Sequence, residues 1–164
     1  MKSSADTFLE NLNIIMENNG LTNYQELSNF ISINKSTVAS WFTGQRTPSI
    51  QKLDIIANHL LIPTYLLIKP NLSLIKSYTT VENDSHRVLV ENLNYIFHKL
   101  NKITYREKCS LFYNFISEDQ LRNYLRESNW NLPNLNTLDN MASSLGKPNY
   151  LLLKRGGIQH EEDN

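Results

Sequence analysis

The sequence predicts an all-α protein made of two tandem five-helix units, the second a degenerate copy of the first. Three observations predict it. Apolar residues recur at helical spacing from Phe8 to Leu67, and the same periodicity resumes after His86. Leu27, Ile31, Ile33, Val38 and Trp41 suit two short helices packed across a tight turn, around the polar run Asn34-Lys35-Ser36-Thr37. Segments from both ends of the first half recur, in order, in the second.

The first helix contains Phe8, Leu12, Ile15 and Met16, with Asp6 or Thr7 as its cap, and Asn18-Asn19-Gly20 ends it. Asn23 is placed to cap a second helix from Tyr24 to Phe30, because a short polar side chain there can accept from the first free N–H groups. Ser32 lies in the turn. A third helix runs from Lys35 to Thr43, and Gly44 suits a left-handed C-terminal position. Pro48 precedes a fourth helix, Ile50 to Leu60, with Leu53, Ile56, Ala57 and Leu60 on one face. Tyr65-Leu66-Leu67 closes the unit.

The repeat begins with Glu10-Asn11-Leu12-Asn13, which returns as Glu91-Asn92-Leu93-Asn94. Leu53-Asp54, Ala57, Leu60, Pro63 and Tyr65-Leu66-Leu67 return as Leu138-Asp139, Ala142, Leu145, Pro148 and Tyr150-Leu151-Leu152. The second set of matches is displaced slightly further along the chain than the first, and a few residues inserted between them explain the drift. The expected organisation is a first domain over 1–70, a linker over 71–86, a second domain over 87–155 and a disordered acidic tail over 156–164.

Composition narrows the function. Formal net charge is zero over 164 residues, so no global basic field draws in nucleic acid. Locally the picture differs: Leu27 to Leu53 has no Asp or Glu but contains Lys35, Arg46 and Lys52, which suits docking through few phosphate contacts. Cys109 is the sole cysteine and reads as a buried thiol, and His59, His86, His98 and His160 are scattered, so neither a disulfide nor a metal pattern emerges. No cofactor is implied. No Gly-rich phosphate loop or nucleophile–base pairing is evident, so an enzyme is not expected. Neither a signal core nor a run near the roughly 18 apolar residues of a membrane span occurs, and a cytoplasmic protein is expected.

A helix that exposes a lysine and short polar side chains at its N-terminal end can enter a DNA major groove. In this setting the first unit resembles the Cro/cI-like helix-turn-helix family, also called XRE. The resemblance rests on Leu27-Ser28, Lys35-Ser36-Thr37, Trp41 and Gly44-Gln45-Arg46-Thr47-Pro48-Ser49, completed by Leu53, Ile56, Ala57, Leu60 and Leu66-Leu67. It covers residues 8–68 and implies a lambda-repressor-like fold that binds double-stranded DNA.

By position, the resemblance implies base reading by Lys35, Ser36 and Ser40, with Thr37 beside them. It implies phosphate contacts from Asn34, Thr43, Gln45 and Arg46, and from Tyr24, which stands where the family often has glutamine. Two departures stand out. Ser32 occupies a turn position that is usually glycine, and Ser40 one that often carries Arg or Gln. Trp41 reads as core packing.

The second copy diverges at the reading helix, where Ser117-Glu118-Asp119-Gln120-Leu121-Arg122-Asn123-Tyr124 puts two carboxylates in place of Lys35 and Ser36. They favour the helix dipole but repel phosphates, although Glu118 can accept from cytosine N4. Glu127 takes the place of Gly44. Tyr105, Phe112, Tyr113, Phe115 and Tyr124 read as core at helical spacing, while exposed Trp130, Phe112, Tyr113 or Phe115 would serve as interface anchors.

The leading expectation is a bacterial or phage transcriptional repressor that acts as a homodimer, with the second copy as the interface. The alternative is a mobile-element regulator whose second domain binds and inhibits a protein target, as an antitoxin or anti-defence inhibitor does, with DNA binding kept for autoregulation. A third reading is a structural repeat protein that binds no DNA.

Overall fold

The computed structural model describes residues 2–73, 83–113, 115–126 and 132–161, and its helices and 3-10 turns make an all-α fold. The chain divides into two compact units, Met1–Asn83 and Asp84–Asn164. The first contains α1 (Ser4–Asn18), α2 (Tyr24–Ile31), α3 (Lys35–Phe42), α4 (Ile50–Leu60) and a 3-10 turn, Thr64–Leu67. The second contains α5 (Ser85–Lys99), α6 (Tyr105–Ser110), α7 (Glu118–Tyr124), α8 (Leu135–Ser144), a 3-10 turn at Asn149–Leu153, and α9 (Gly157–Glu161).

Capping decides where these helices begin. Asn23 accepts from Gln25 and Glu26 N–H, Asn34 from Ser36 N–H, and Ser49 from Lys52 N–H. The expected cap of α1 is corrected. Ser3 takes that place and accepts from Asp6 N–H, while Asp6 and Thr7 lie inside the helix. Ser3 wins because capping from there lets Thr7 turn inward and be buried.

The core of the first unit is continuous. Phe8, Leu12, Ile15, Leu27, Ile31, Val38, Leu53, Ile56 and Leu67 are fully buried, each side chain contributing about 1.5–3 kcal/mol on removal from water. Trp41 meets Phe8 edge-on at 5.5 Å, so it is part of this core. Asn11, buried among apolar residues, donates Nδ2–H to the carbonyls of Leu66 (3.2 Å), Leu67 (2.9 Å) and Lys69 (3.0 Å). It thereby fixes the closing 3-10 turn to α1, and none of its polar atoms is left unsatisfied.

The second unit uses matching devices. Asn92 donates Nδ2–H to Leu151, Leu152 and Lys154 carbonyls at 3.2, 2.9 and 3.0 Å. Thr64 Oγ1 donates to Asp54 in the first unit at 2.6 Å, and Asn149 Nδ2 donates to Asp139 in the second at 2.8 Å. Glu26 accepts from Thr22 N–H, and Glu107 accepts from Ile103 and Thr104 N–H. These backbone donors hold both carboxyls below the ordinary glutamate range, Thr22 being the main cause for Glu26 and Thr104 for Glu107.

Three expectations for the second half change. The segment 71–86, expected as a linker, contributes to structure at its ends. Leu72 is buried, Asn83 bonds to Asn58, Ile62 and Thr64, and Ser85 and His86 open α5. The middle of that segment, 74–82, lies outside the described residues.

The tail expected to be disordered from 156 instead forms α9 up to Glu161, where Ile158 is buried to 1% exposure. Residues 162–164 lie outside the described residues. A Cβ on Gly157 would come within 2.7 Å of the Leu151 carbonyl oxygen, so glycine lets this helix seat closely. Among the aromatics expected to be core, Phe112 is fully buried against Phe97, but Tyr113 is 78% exposed and Phe115 is exposed as well. Trp130 and Glu127 lie outside the described residues.

Candidate nucleic-acid interface

α2 and α3 are joined by a turn that Ser28 organises. Ser28 carbonyl oxygen accepts from the N–H groups of Ser32 and Ile33, and its hydroxyl donates to Ile33 carbonyl at 2.6 Å. Ser28 is buried at this position, which gives Leu27-Ser28 its physical meaning. Ser32 itself is left-handed, φ 56° and ψ 38°, the conformation glycine adopts with least strain. Gly44 is also left-handed at φ 72°, and Arg46 N–H returns to Ser40 carbonyl, so the chain leaves α3 by a closed turn.

The exposed residues flank α3 at both ends. Asn34 and Lys35 open it to solvent with Ser36, and Thr37 is half-buried beside them. Thr43, Gln45 and Arg46 are exposed at its far end. Among the described residues neither Lys35 nor Arg46 has a carboxylate partner. Tyr24, at the first position of α2, stacks on Phe42 near the end of α3, with ring centroids 4.8 Å apart and planes 19° from parallel. That contact joins the two helices and places a phenol on the same rim as the α2 N-terminus. Sequence reasoning named Tyr24 but not Phe42, since no local pattern marks their pairing.

Four candidate residues are already engaged within the protein. Ser36 donates both its N–H (2.9 Å) and its hydroxyl (2.8 Å) to Asn34 Oδ1, so its side chain is held at the helix entrance and Asn34 keeps only its amide hydrogens for a ligand. Thr43 Oγ1 donates to Ser40 carbonyl at 3.3 Å. Ser40 corrects the expectation most. It is 8% exposed, and its hydroxyl donates to Thr37 carbonyl at 2.7 Å. The helical twist turns it toward the core side beside Trp41, away from the exposed turn that contains Lys35 and Ser36.

In the second unit the comparable helix, α7, begins at Glu118 and Asp119, capped by Ser117 in a reciprocal box with Gln120. Asp119 pairs with Arg122 at 3.3 Å, and Arg122 in turn lies over the Tyr105 ring at 4.7 Å. Lys108 lies 5.2 Å from the same ring. Cations there are occupied by aromatic faces and a carboxylate rather than presented at a helix entrance. Burial, with Glu118 nearby, pushes the Cys109 thiol up.

Among the described residues no group of three or more His, Cys, Asp or Glu could hold a metal, and no helix is long and apolar enough to cross a membrane. No curated protein and no solved structure matches the chain. A family model described as helix-turn-helix matches residues 12–67, from within α1 to the closing 3-10 turn. With α2, the Ser32 turn and α3 at its centre, this part of the chain belongs to the Cro/cI-like helix-turn-helix family, the DNA-binding type of transcription regulators.

Proposed function

We propose that the protein is a sequence-specific repressor of bacterial or phage origin, which docks α3 in the major groove and excludes polymerase from an overlapping promoter. One observation carries this reading: the entrance of α3 exposes Lys35 with no carboxylate partner among the described residues, on a segment from Leu27 to Leu53 free of Asp and Glu. Lys35 can donate to guanine O6 and N7, with Ser36 and Thr37 at neighbouring bases. Arg46, Gln45, Thr43, the Asn34 amide and the Tyr24 hydroxyl would hold phosphates, the last beside the α2 N-terminus. Base contacts are few, so DNA shape would supply part of the selectivity.

The second unit, in this reading, is a diverged copy that no longer reads DNA. Its support is the set of matching hydrogen bonds, those of Asn11 with those of Asn92 and that of Asp54 with that of Asp139, each pair at corresponding places in the sequence repeat. One unit buries too little surface for operator affinity, and a homodimer would place two copies of α3 on half-sites about 34 Å apart. Exposed Tyr113 and Phe115 supply aromatic anchors for that contact. A second reading, inhibition of a protein target by this unit, draws on exposed Glu118 and Asp119 beside those aromatics.

Fluorescence anisotropy of the purified protein on its own upstream DNA, against a scrambled duplex and across a salt series, tests the proposal. Tight binding to the native sequence alone, with log K falling by about 0.9 per phosphate contact for each unit of log salt, supports it. Equal weak binding to both duplexes overturns it.

A further inference from the structure

The second unit has an open-sided cavity of about 220 Å³ between α5, α8 and α9. Ile96, Leu111, Leu145 and Ile158 make its apolar lining, Lys99 and Lys147 are its cations, and among the described residues no carboxylate lines it. Lys147 Nζ reaches Glu161 at 2.9 Å, so an ion pair ties the last turn of α9 beside the opening. Gly157 seats that helix against the Leu151 carbonyl, which keeps Ile158 in place as one wall.

Comparison within the chain indicates how the space arises. In the register of the repeat, Leu111, Ser144 and Lys147 correspond to Phe30, His59 and Ile62 of the first unit. Two of those replacements remove side-chain bulk, and the third puts an ammonium where the first unit buries an isoleucine. The lining thus loses volume and gains charge at one place, while α9, which lies beyond the repeat, closes the side.

We propose that this cavity binds a small amphiphilic monocarboxylate, its apolar body among Ile96, Leu111, Leu145 and Ile158 and its carboxylate at Lys99 and Lys147. Size fits the class: an engineered apolar cavity of about 150 Å³ holds benzene, so this one admits a body somewhat larger, of about ten non-hydrogen atoms. Charge fits as well: the lining has two lysines and no carboxylate, and an anion gains there an ion pair that a neutral alcohol does not, in exchange with Glu161 at Lys147. The ligand carboxylate would compete with Glu161 for Lys147, which couples occupancy to the seating of α9. The cavity and the α3 surface are independent, so failure of DNA binding would leave this site untouched.

Isothermal titration of the full chain with octanoate, octan-1-ol and octylamine tests it. The expected result is saturable one-to-one binding of octanoate, about tenfold or more tighter than the alcohol, and none of the amine. Leu145→Trp, which fills the cavity, should abolish binding. The Lys99→Gln, Lys147→Gln double variant should bring octanoate down to the level of the alcohol, and circular dichroism should show both variants folded. Should Leu145→Trp fail to fold, the lysine variant decides alone. No saturable octanoate binding, equal binding of alcohol and acid, or unchanged binding in either folded variant overturns the proposal.

Discussion

Tyr24 and Phe42 stack face to face at 4.8 Å, the first residue of α2 on the last residue of α3. The contact spans the helix-turn-helix on the side opposite the Ser32 turn, so the two helices are clamped at both ends. Stacked aromatic pairs of this kind are worth about 0.5–1.5 kcal/mol beyond the area they bury. The same contact fixes the phenol hydroxyl at the rim of the proposed DNA surface. Tyr24 therefore links stability to binding, and its two contributions can be separated.

Tyr24→Phe keeps the ring and removes the hydroxyl. Its urea midpoint should stay near that of the parent, while operator affinity falls by about 1 kcal/mol, the worth of one hydrogen bond. Tyr24→Ala should lose the same affinity and, in addition, about 0.5–1.5 kcal/mol of stability. If Tyr24→Phe binds DNA as well as the parent, the phosphate contact is absent and the residue is structural only.

Lys35 and Arg46 should behave differently from each other, because the proposed docking gives Lys35 a base edge and Arg46 a phosphate. Lys35→Ala should relax discrimination at one operator position by about 1–3 kcal/mol. Arg46→Ala should weaken native and scrambled duplexes alike and reduce the salt slope by about one. Competition binding against single-position operator variants distinguishes the two patterns, and an equal loss of discrimination in both variants would refute the assignment.

Much of the helix-turn-helix was legible in the sequence because its markers are local. Asn23 as a cap, Ser32 at the turn and Gly44 after α3 each follow from residue chemistry at a single position. The burial of Ser40 was not legible because it depends on which way a short helix is rolled against Trp41 and Val38, a property of the packed unit. The partnership of Tyr24 and Phe42 joins two helices and leaves no periodic trace. α9 was hidden by composition: Gly156-Gly157 followed by His160-Glu161 reads as tail, yet one apolar residue, Ile158, suffices where glycine allows the backbone to seat.

Ser32 offers a gain in stability. A side chain in the left-handed region costs about 1 kcal/mol relative to glycine, and the contact of its hydroxyl to His59 Nδ1, at 3.4 Å, is long. Ser32→Gly should raise the urea midpoint without changing the slope, a gain of about 0.5–1 kcal/mol, and leave DNA affinity unaltered. A lower midpoint would mean that the His59 contact outweighs the backbone strain.

Asn11 and Asn92 provide the sharpest test of the proposed duplication, since each donates to three backbone carbonyls at the same set of distances. Replacing either by Leu keeps the branched shape but removes the donor, leaving buried carbonyls without it. Each change should cost about 1–3 kcal/mol, the penalty for orphaned buried polar groups. The consequences should diverge. Asn11→Leu loosens the unit that contains α3, so DNA binding falls with stability. Asn92→Leu loosens only the second unit, so a single half-site is still bound while dimer-dependent affinity for the full operator is lost. Hydrogen exchange resolved along the chain would show which unit opens in each variant. Opening of both units by either substitution would contradict two separately closed cores.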